Sequence, residues 1–143
     1  MLAAAVLAAA ALGFWLRPRP LAPQGLSRIG LSVYRESLDS AETLGRGTLA
    51  AGEPGFDAVA AVLEGQTWRQ PFPGCERNAR PVGADSTWLT IDLALTDGSG
   101  SITWVTLYDD GYVQVLNTSR GFAAGDYSAL AGALYAAAAP YLA

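Results

Sequence analysis

The sequence predicts an α+β domain. It reads as an antiparallel β-meander of three strands plus one or two N-terminal strands, with two helices packed on one face and an N-terminal hydrophobic helix ahead of them. Three observations carry that prediction. From Trp88 to Thr96 the side chains alternate, with Leu89, Ile91, Leu93 and Leu95 on one side and Trp88, Thr90, Asp92 and Thr96 on the other. A period of two marks a half-buried strand. Two turn signals follow, Asp97-Gly98-Ser99-Gly100 and Asp110-Gly111, whose glycines supply the positive φ of tight hairpins. Elsewhere Phe56, Val59, Ala60 and Leu63, and later Tyr127, Leu130, Leu134 and Ala137, recur at the spacing of amphipathic helices.

The turns set an expected register. A two- or four-residue loop centred on Gly98-Ser99 places Leu95 opposite Ile102 and Leu93 opposite Trp104. A two-residue Asp110-Gly111 loop places Tyr108 opposite Val113 and Thr106 opposite Val115. One face then gathers Leu89, Ile91, Leu93, Leu95, Ile102, Trp104, Tyr108, Val113 and Val115. At roughly 1.5–3 kcal/mol for each large side chain removed from water, that face demands a cover. A three-residue loop ending in Gly111 would shift the third strand by one and turn Tyr112 and Gln114 inward. The general preference for two-residue Asp-Gly turns favours the first register.

Length and composition bound the rest. The chain has 143 residues, one domain's worth with an appendage. It is 51% hydrophobic and 15% charged, ample material for a core. It holds nine Arg, no Lys and no His, with a formal charge of −4. Arg17 and Arg19 precede the folded part, leaving seven Arg against thirteen acids there. An acidic surface repels phosphate backbones and no basic stripe relieves it, so nucleic acid is excluded as a partner.

Taken in order, Met1 to Leu16 carries no charge and ends in Phe14-Trp15, followed by Arg17-Pro18-Arg19-Pro20. As a helix it would be about 24 Å long, close to the lower limit for the roughly 30 Å hydrocarbon layer. Aromatics followed by Arg suit an interfacial belt with snorkelling cations. Residues 1–17 therefore read as a single-pass transmembrane or signal-anchor segment that makes the membrane a partner. A cleaved signal peptide with secretion is the rival reading, opposed by the missing basic n-region and by a poor cleavage site at Trp15 to Pro20. A buried Ala-rich helix is the other alternative. Arg17 and Arg19 after the apolar run place the domain in the cytoplasm by the positive-inside rule; the plan of a short anchor followed by one small domain places it outside. The extracytoplasmic reading is adopted, at the cell membrane.

Residues 18–27, with prolines at 18, 20 and 23, read as an extended proline-rich linker, and 28–143 as the small α+β domain. Ile29, Leu31 and Val33 alternate, indicating a strand from about Arg28 to Tyr34. Arg35 to Gly47 is a polar loop or a hairpin returning through Thr48 to Ala51. Glu53-Pro54-Gly55 opens a helix that Gly65 stops. Gln66 to Asp85 is a long irregular connection that is either functional or wrapped over the second sheet face. Asn117 to Gly125 is a loop, Asp126 or Gly125 caps the final helix, and Pro140 ends it.

This order resembles small bacterial membrane-anchored or lipoprotein-type extracytoplasmic domains of uncharacterised role, whose plan is a strand, a helix, a β-meander and a final helix. The resembling stretch is Ile29 to Tyr141, including the aromatic-rich hairpin from Trp104 to Val115. The chain departs from the lipoprotein form, because no cysteine lies near the N-terminus to carry a lipid. The resemblance transfers no catalytic residue.

Elimination narrows the chemistry. Without histidine there is no imidazole base and no His-ligated metal centre. Without lysine there is no Schiff base and no P-loop lysine. Cys75 stands alone, so no disulfide or zinc knuckle forms within the chain; its neighbour Arg77 could activate it, but an inert thiol is the plainer reading. No cofactor, metal or catalytic residue is assigned, and the chain is read as a non-enzyme. Asp97, Asp109 and Asp110 sit in turns for their backbone bonds. Asp92, beside Thr90 and Thr103, is the carboxylate that turn geometry does not explain. The second sheet face supplies the candidate binding residues: Trp88, Asp92, Val105, Leu107, Tyr112 and Leu116. An apolar strip with an aromatic at each end exceeds what a solvated face usually shows, and suggests docking of a protein, peptide or envelope component. The alternatives are a spacer with no ligand, its strip covered by the 66–85 connection, and a carboxylate-dependent hydrolase using Asp92 as base.

Overall fold

The computed structural model describes residues 2–70, 86–115, 122–124 and 127–143. Among the described residues there are three helices, α1 (Leu2–Leu16), α2 (Phe56–Leu63) and α3 (Ser128–Ala138), the last continuing into a 3-10 turn at Ala139–Tyr141. The strands are β1 (Arg19–Pro20), β2 (Leu26–Glu36), β3 (Ala41–Ala50), β4 (Thr67–Trp68), β5 (Trp88–Asp97), β6 (Ile102–Tyr108), β7 (Tyr112–Val115) and β8 (Phe122–Ala124). Six of them form an antiparallel sheet in the order β3-β2-β5-β6-β7-β8, and β1 pairs with β4 in a two-stranded ribbon. The fold is α+β, as the period-two and helical patterns predicted.

Each element follows from local chemistry. In β2, Ile29, Leu31 and Val33 face inward opposite Leu95, Leu93 and Ile91 of β5. The stretch read as a loop or a hairpin is a hairpin, with β3 returning along β2 after a Ser37–Ser40 turn. A bulge at Val33/Tyr34 leaves Leu44 as the extra residue. Helix α2 begins after Gly55, which has φ +90, and gives way to Gly65 at φ +73, the left-handed stop expected of glycine. Phe56, Val59 and Leu63 are its buried side. In α3 the buried residues are Leu130, Ala131, Leu134 and Ala138, so Ala138 rather than Ala137 completes the stripe. The N-cap position of α3 is Tyr127, whose hydroxyl donates to the Thr67 carbonyl at 3.2 Å; the expected caps Gly125 and Asp126 lie outside the described residues.

Both α2 and α3 lie on the sheet face formed by Ile29, Leu31, Val33, Ile91, Leu93 and Leu95, and these six join Val105, Leu107, Val113 and Val115 in one core. The expected register is corrected in β6. Leu93 pairs with Val105, Ala94 with Trp104 and Leu95 with Thr103, so Val105 and Leu107 are buried while Ile102 and Trp104 face outward at 40% and 47% exposure. The cause is in the turns. Gly100 (φ +87) sends its N–H to the Asp97 carbonyl, and Gly111 (φ +94) sends its own to Tyr108. Each loop therefore holds three residues and ends in a left-handed glycine, a type I turn with a bulge. Two odd loops invert β6 and then restore β7. Val113 and Val115 accordingly reach the core face they were expected to occupy.

Two further departures concern the chain ends. The segment expected to be a free spacer is part of the body: Arg19 pairs with Trp68, the Leu21 N–H donates to the Gln66 carbonyl, and Leu21 is buried. The Arg19 guanidinium lies over the Trp68 ring at 5.5 Å and donates to Gln70. At the other end, Arg46 and Ala143 exchange backbone bonds of 2.9 Å in both directions, capping the β3 edge at that position. Glycine makes room for this tail, since a Cβ at Gly45 would come within 2.7 Å of Leu142 and one at Gly47 within 2.9 Å of the Tyr141 carbonyl.

Helix α1 forms over the predicted apolar run and is apolar on every side; Val6, Leu7 and Phe14 are exposed, and Arg17 stacks on Phe14 at 4.0 Å. The expectation of a span is not met, because no helix among the described residues is long and apolar enough to cross a membrane. Fifteen residues make about 22 Å of helix, short of a roughly 30 Å hydrocarbon layer.

Candidate functional site: the open face of the sheet

With α2 and α3 on one face, the opposite face of the six-stranded sheet is read through its cross-strand rows. One row runs Thr48, Gly30, Ala94, Trp104 across β3, β2, β5 and β6; its neighbour runs Arg46, Ser32, Asp92, Thr106. Gly30 and Ala94 lie directly opposite each other, and a Cβ at Gly30 would sit 3.3 Å from that of Ala94. With almost no side chain in the middle of the first row, the face sinks into a depression of about 420 Å³. Trp104 walls one side and Arg46 the other, with Ser32 and Asp92 along the polar flank.

The polar groups here are positioned by bonds within the face. Asp92 accepts from the Thr106 hydroxyl at 2.7 Å, which aims the carboxylate while leaving capacity for further donors, since an ionised carboxylate has about four acceptor sites. The Arg46 guanidinium lies 5.7 Å from the Tyr34 ring centre and donates to the Tyr34 hydroxyl at 3.3 Å. Further along, the Glu36 carboxylate accepts from both Trp88 Nε1 and the Thr90 hydroxyl. Tyr108 and Tyr112 flank the Asp109-Asp110-Gly111 loop.

Of the expected binding residues, Trp88, Asp92 and Tyr112 lie on this face, each partly buried. Val105 and Leu107 do not. They are 1% and 0% exposed on the core side, because the three-residue turn after β5 inverts β6, and the apolar strip they would have formed does not exist. Leu116 lies outside the described residues, as do Cys75 and most of the 66–85 connection. Thr103 pairs with Leu95, so the hydroxyl beside Asp92 is that of Thr106. Trp104, Ile102, Ser32, Gly30, Ala94 and Arg46 were not picked out from the sequence.

A second concavity, about 660 Å³, lies between residues 20–26 and α2, with Pro20, Leu26, Ala60 and Leu63 in its walls. Among the described residues no cluster of three or more His, Cys, Asp or Glu side chains could hold a metal ion. No protein-family model, curated protein or solved structure matches the chain.

Proposed function

We propose that this chain is a membrane-associated, non-enzymatic binding module that receives its partner on the open sheet face. The observation carrying this reading is Trp104, 47% exposed beside a depression that pairs it with Asp92, Ser32 and Arg46. Concave sites with an aromatic wall and a few convergent polar groups are the usual form of ligand sites. Among the described residues Asp92 is the one carboxylate lining the depression, which favours binding over a hydrolase, since the expected acid–base chemistry needs a second carboxylate close by. The module stays on the extracytoplasmic side in this proposal, following the anchored-domain plan. Helix α1, apolar all round and exposed, supports lipid association by insertion; a helix of that kind finds its cover in a core or in hydrocarbon.

Affinity capture from a bacterial envelope extract tests the face. The immobilised chain should be full length, because Leu21 belongs to the core and removing the N-terminal residues through it would open that core. A partner held by the wild type should be lost with Trp104→Asp and kept with Asp57→Lys, which lies on exposed α2 surface. Equal retention by Trp104→Asp would remove the open face from the function.

A further inference from the structure

We propose that the Trp104–Arg46 depression binds a pyranose ring of a neutral glycan. The inference rests on the open-face reading above and narrows it to a ligand class. A pyranose has an apolar C–H face and a rim of hydroxyls that both donate and accept. The depression offers the complement of each. Its floor is Gly30 and Ala94, nearly flat, and its wall is the half-exposed indole of Trp104, a surface suited to stacking against C–H groups because the aromatic face is electron-rich. Beside that floor, two residues along the strands on one side, the row Arg46, Ser32, Asp92 presents a donor, a donor-acceptor and an acceptor in sequence, the Thr106 hydroxyl already donating to Asp92. The size, about 420 Å³, falls within the general range of small-ligand sites.

Other ligand classes fit less well. Arg46 and Asp92 stand on the same row with Ser32 between them, so opposite charges flank the site and neither an anion nor a cation is favoured outright. The acidic balance of the chain disfavours a phosphate-bearing nucleotide. A peptide adding as a strand needs a free sheet edge, whereas the floor of the depression is on β2 and β5, which are interior strands. A sugar read by side chains needs no edge.

The test uses the full chain in micelles of a detergent without a sugar head group, titrated separately with cellotetraose, maltotetraose and chitotetraose and followed by 1H–15N NMR. At least one tetrasaccharide should give saturable shifts of the Trp104 indole N–H and of the Ala94 and Ser32 amides. Trp104→Ala should abolish them, and Asp92→Ala should weaken the affinity about tenfold, the loss of one charge-assisted hydrogen bond. Ala94→Gln fills the floor without touching the core and should also abolish binding, with amide shifts elsewhere unchanged as proof of folding. No saturable response to any of the three sugars at millimolar concentration overturns the proposal. So do shifts that survive both Trp104→Ala and Ala94→Gln. A protein partner captured through Trp104 with no sugar response overturns the glycan assignment and leaves the open-face reading standing; loss of both removes the two together.

Discussion

At the scale of single residues, neighbours in β6 have opposite fates, and substitution separates them. Leu107 is fully buried and Trp104 is not. Leu107→Ala should cost about 2–5 kcal/mol, the range for an emptied core leucine, while Trp104→Ala, at a half-exposed position, should cost less, about 1 kcal/mol. Urea midpoints of the two variants check this; the reverse ranking would restore the two-residue-turn register. Asp97 offers a second residue-level test. Its Oδ1 accepts from the Ser99 hydroxyl at 2.6 Å and from the Ser99 and Ser101 N–H groups at 2.8 and 3.0 Å. The Ser99 hydrogen bond, with those backbone donors, holds its carboxyl below the usual range. A lowered folded-state pKa means the folded chain binds fewer protons, so this contribution is present above the ordinary Asp pKa near 4 and is lost as pH falls through the lower folded value. Between pH 5 and pH 2, urea midpoints of Asp97→Asn should therefore fall less steeply than those of the wild type, and identical slopes would refute the role.

At the scale of elements, the C-terminal tail caps the edge of β3 at one position, where Ala143 and Arg46 exchange backbone bonds. Exposed edges invite pairing with other chains, and three glycines leave room for this cover: Gly45, Gly47 and, against the Tyr141 ring, Gly55. Gly45→Val should displace Leu142, accelerate amide exchange at Arg46 and Ala143, and raise the tendency to self-associate in sedimentation; unchanged exchange would show the tail tolerates the crowding. Element identity was largely legible in the sequence. Alternation marked β2 and β5, and the 3-4 spacing marked α2 and α3, because burial imposes those periods on any chain that makes a core. What escaped was parity. Whether Asp97 to Ser101 closes with two residues or three depends on which glycine adopts positive φ, and both Gly98 and Gly100 were available. A two-residue turn there inverts β6 and with it the expected strip, putting Val105 and Leu107 outside and Trp104 inside, the reverse of the structure. The depression was harder still to foresee, since it arises from Gly30 and Ala94, brought together only by the β2–β5 pairing across 64 positions of chain.

At the scale of the whole molecule, α1 is the element without a cover in the described fold. The full chain should float with phosphatidylcholine vesicles in a density gradient, and Leu7→Asp, at an apolar position 71% exposed, should abolish flotation without changing the urea midpoint of the domain. Flotation of the variant alongside the wild type would remove α1 from lipid association. The sequence conveyed the apolar character of this segment but not how closely it is joined to the body, because the β1–β4 pairing links residues 19–20 with 67–68 and has no local signature. That attachment bears on access. Only Arg17 and Pro18 stand between the end of α1 and the first paired residue, and proline fixes its own φ. Whatever surface takes up the helix thereby sets the bearing of the aromatic hollow, so a polymer anchored to the same support would meet it from one compass direction, and its length and stiffness would decide whether it arrives at all.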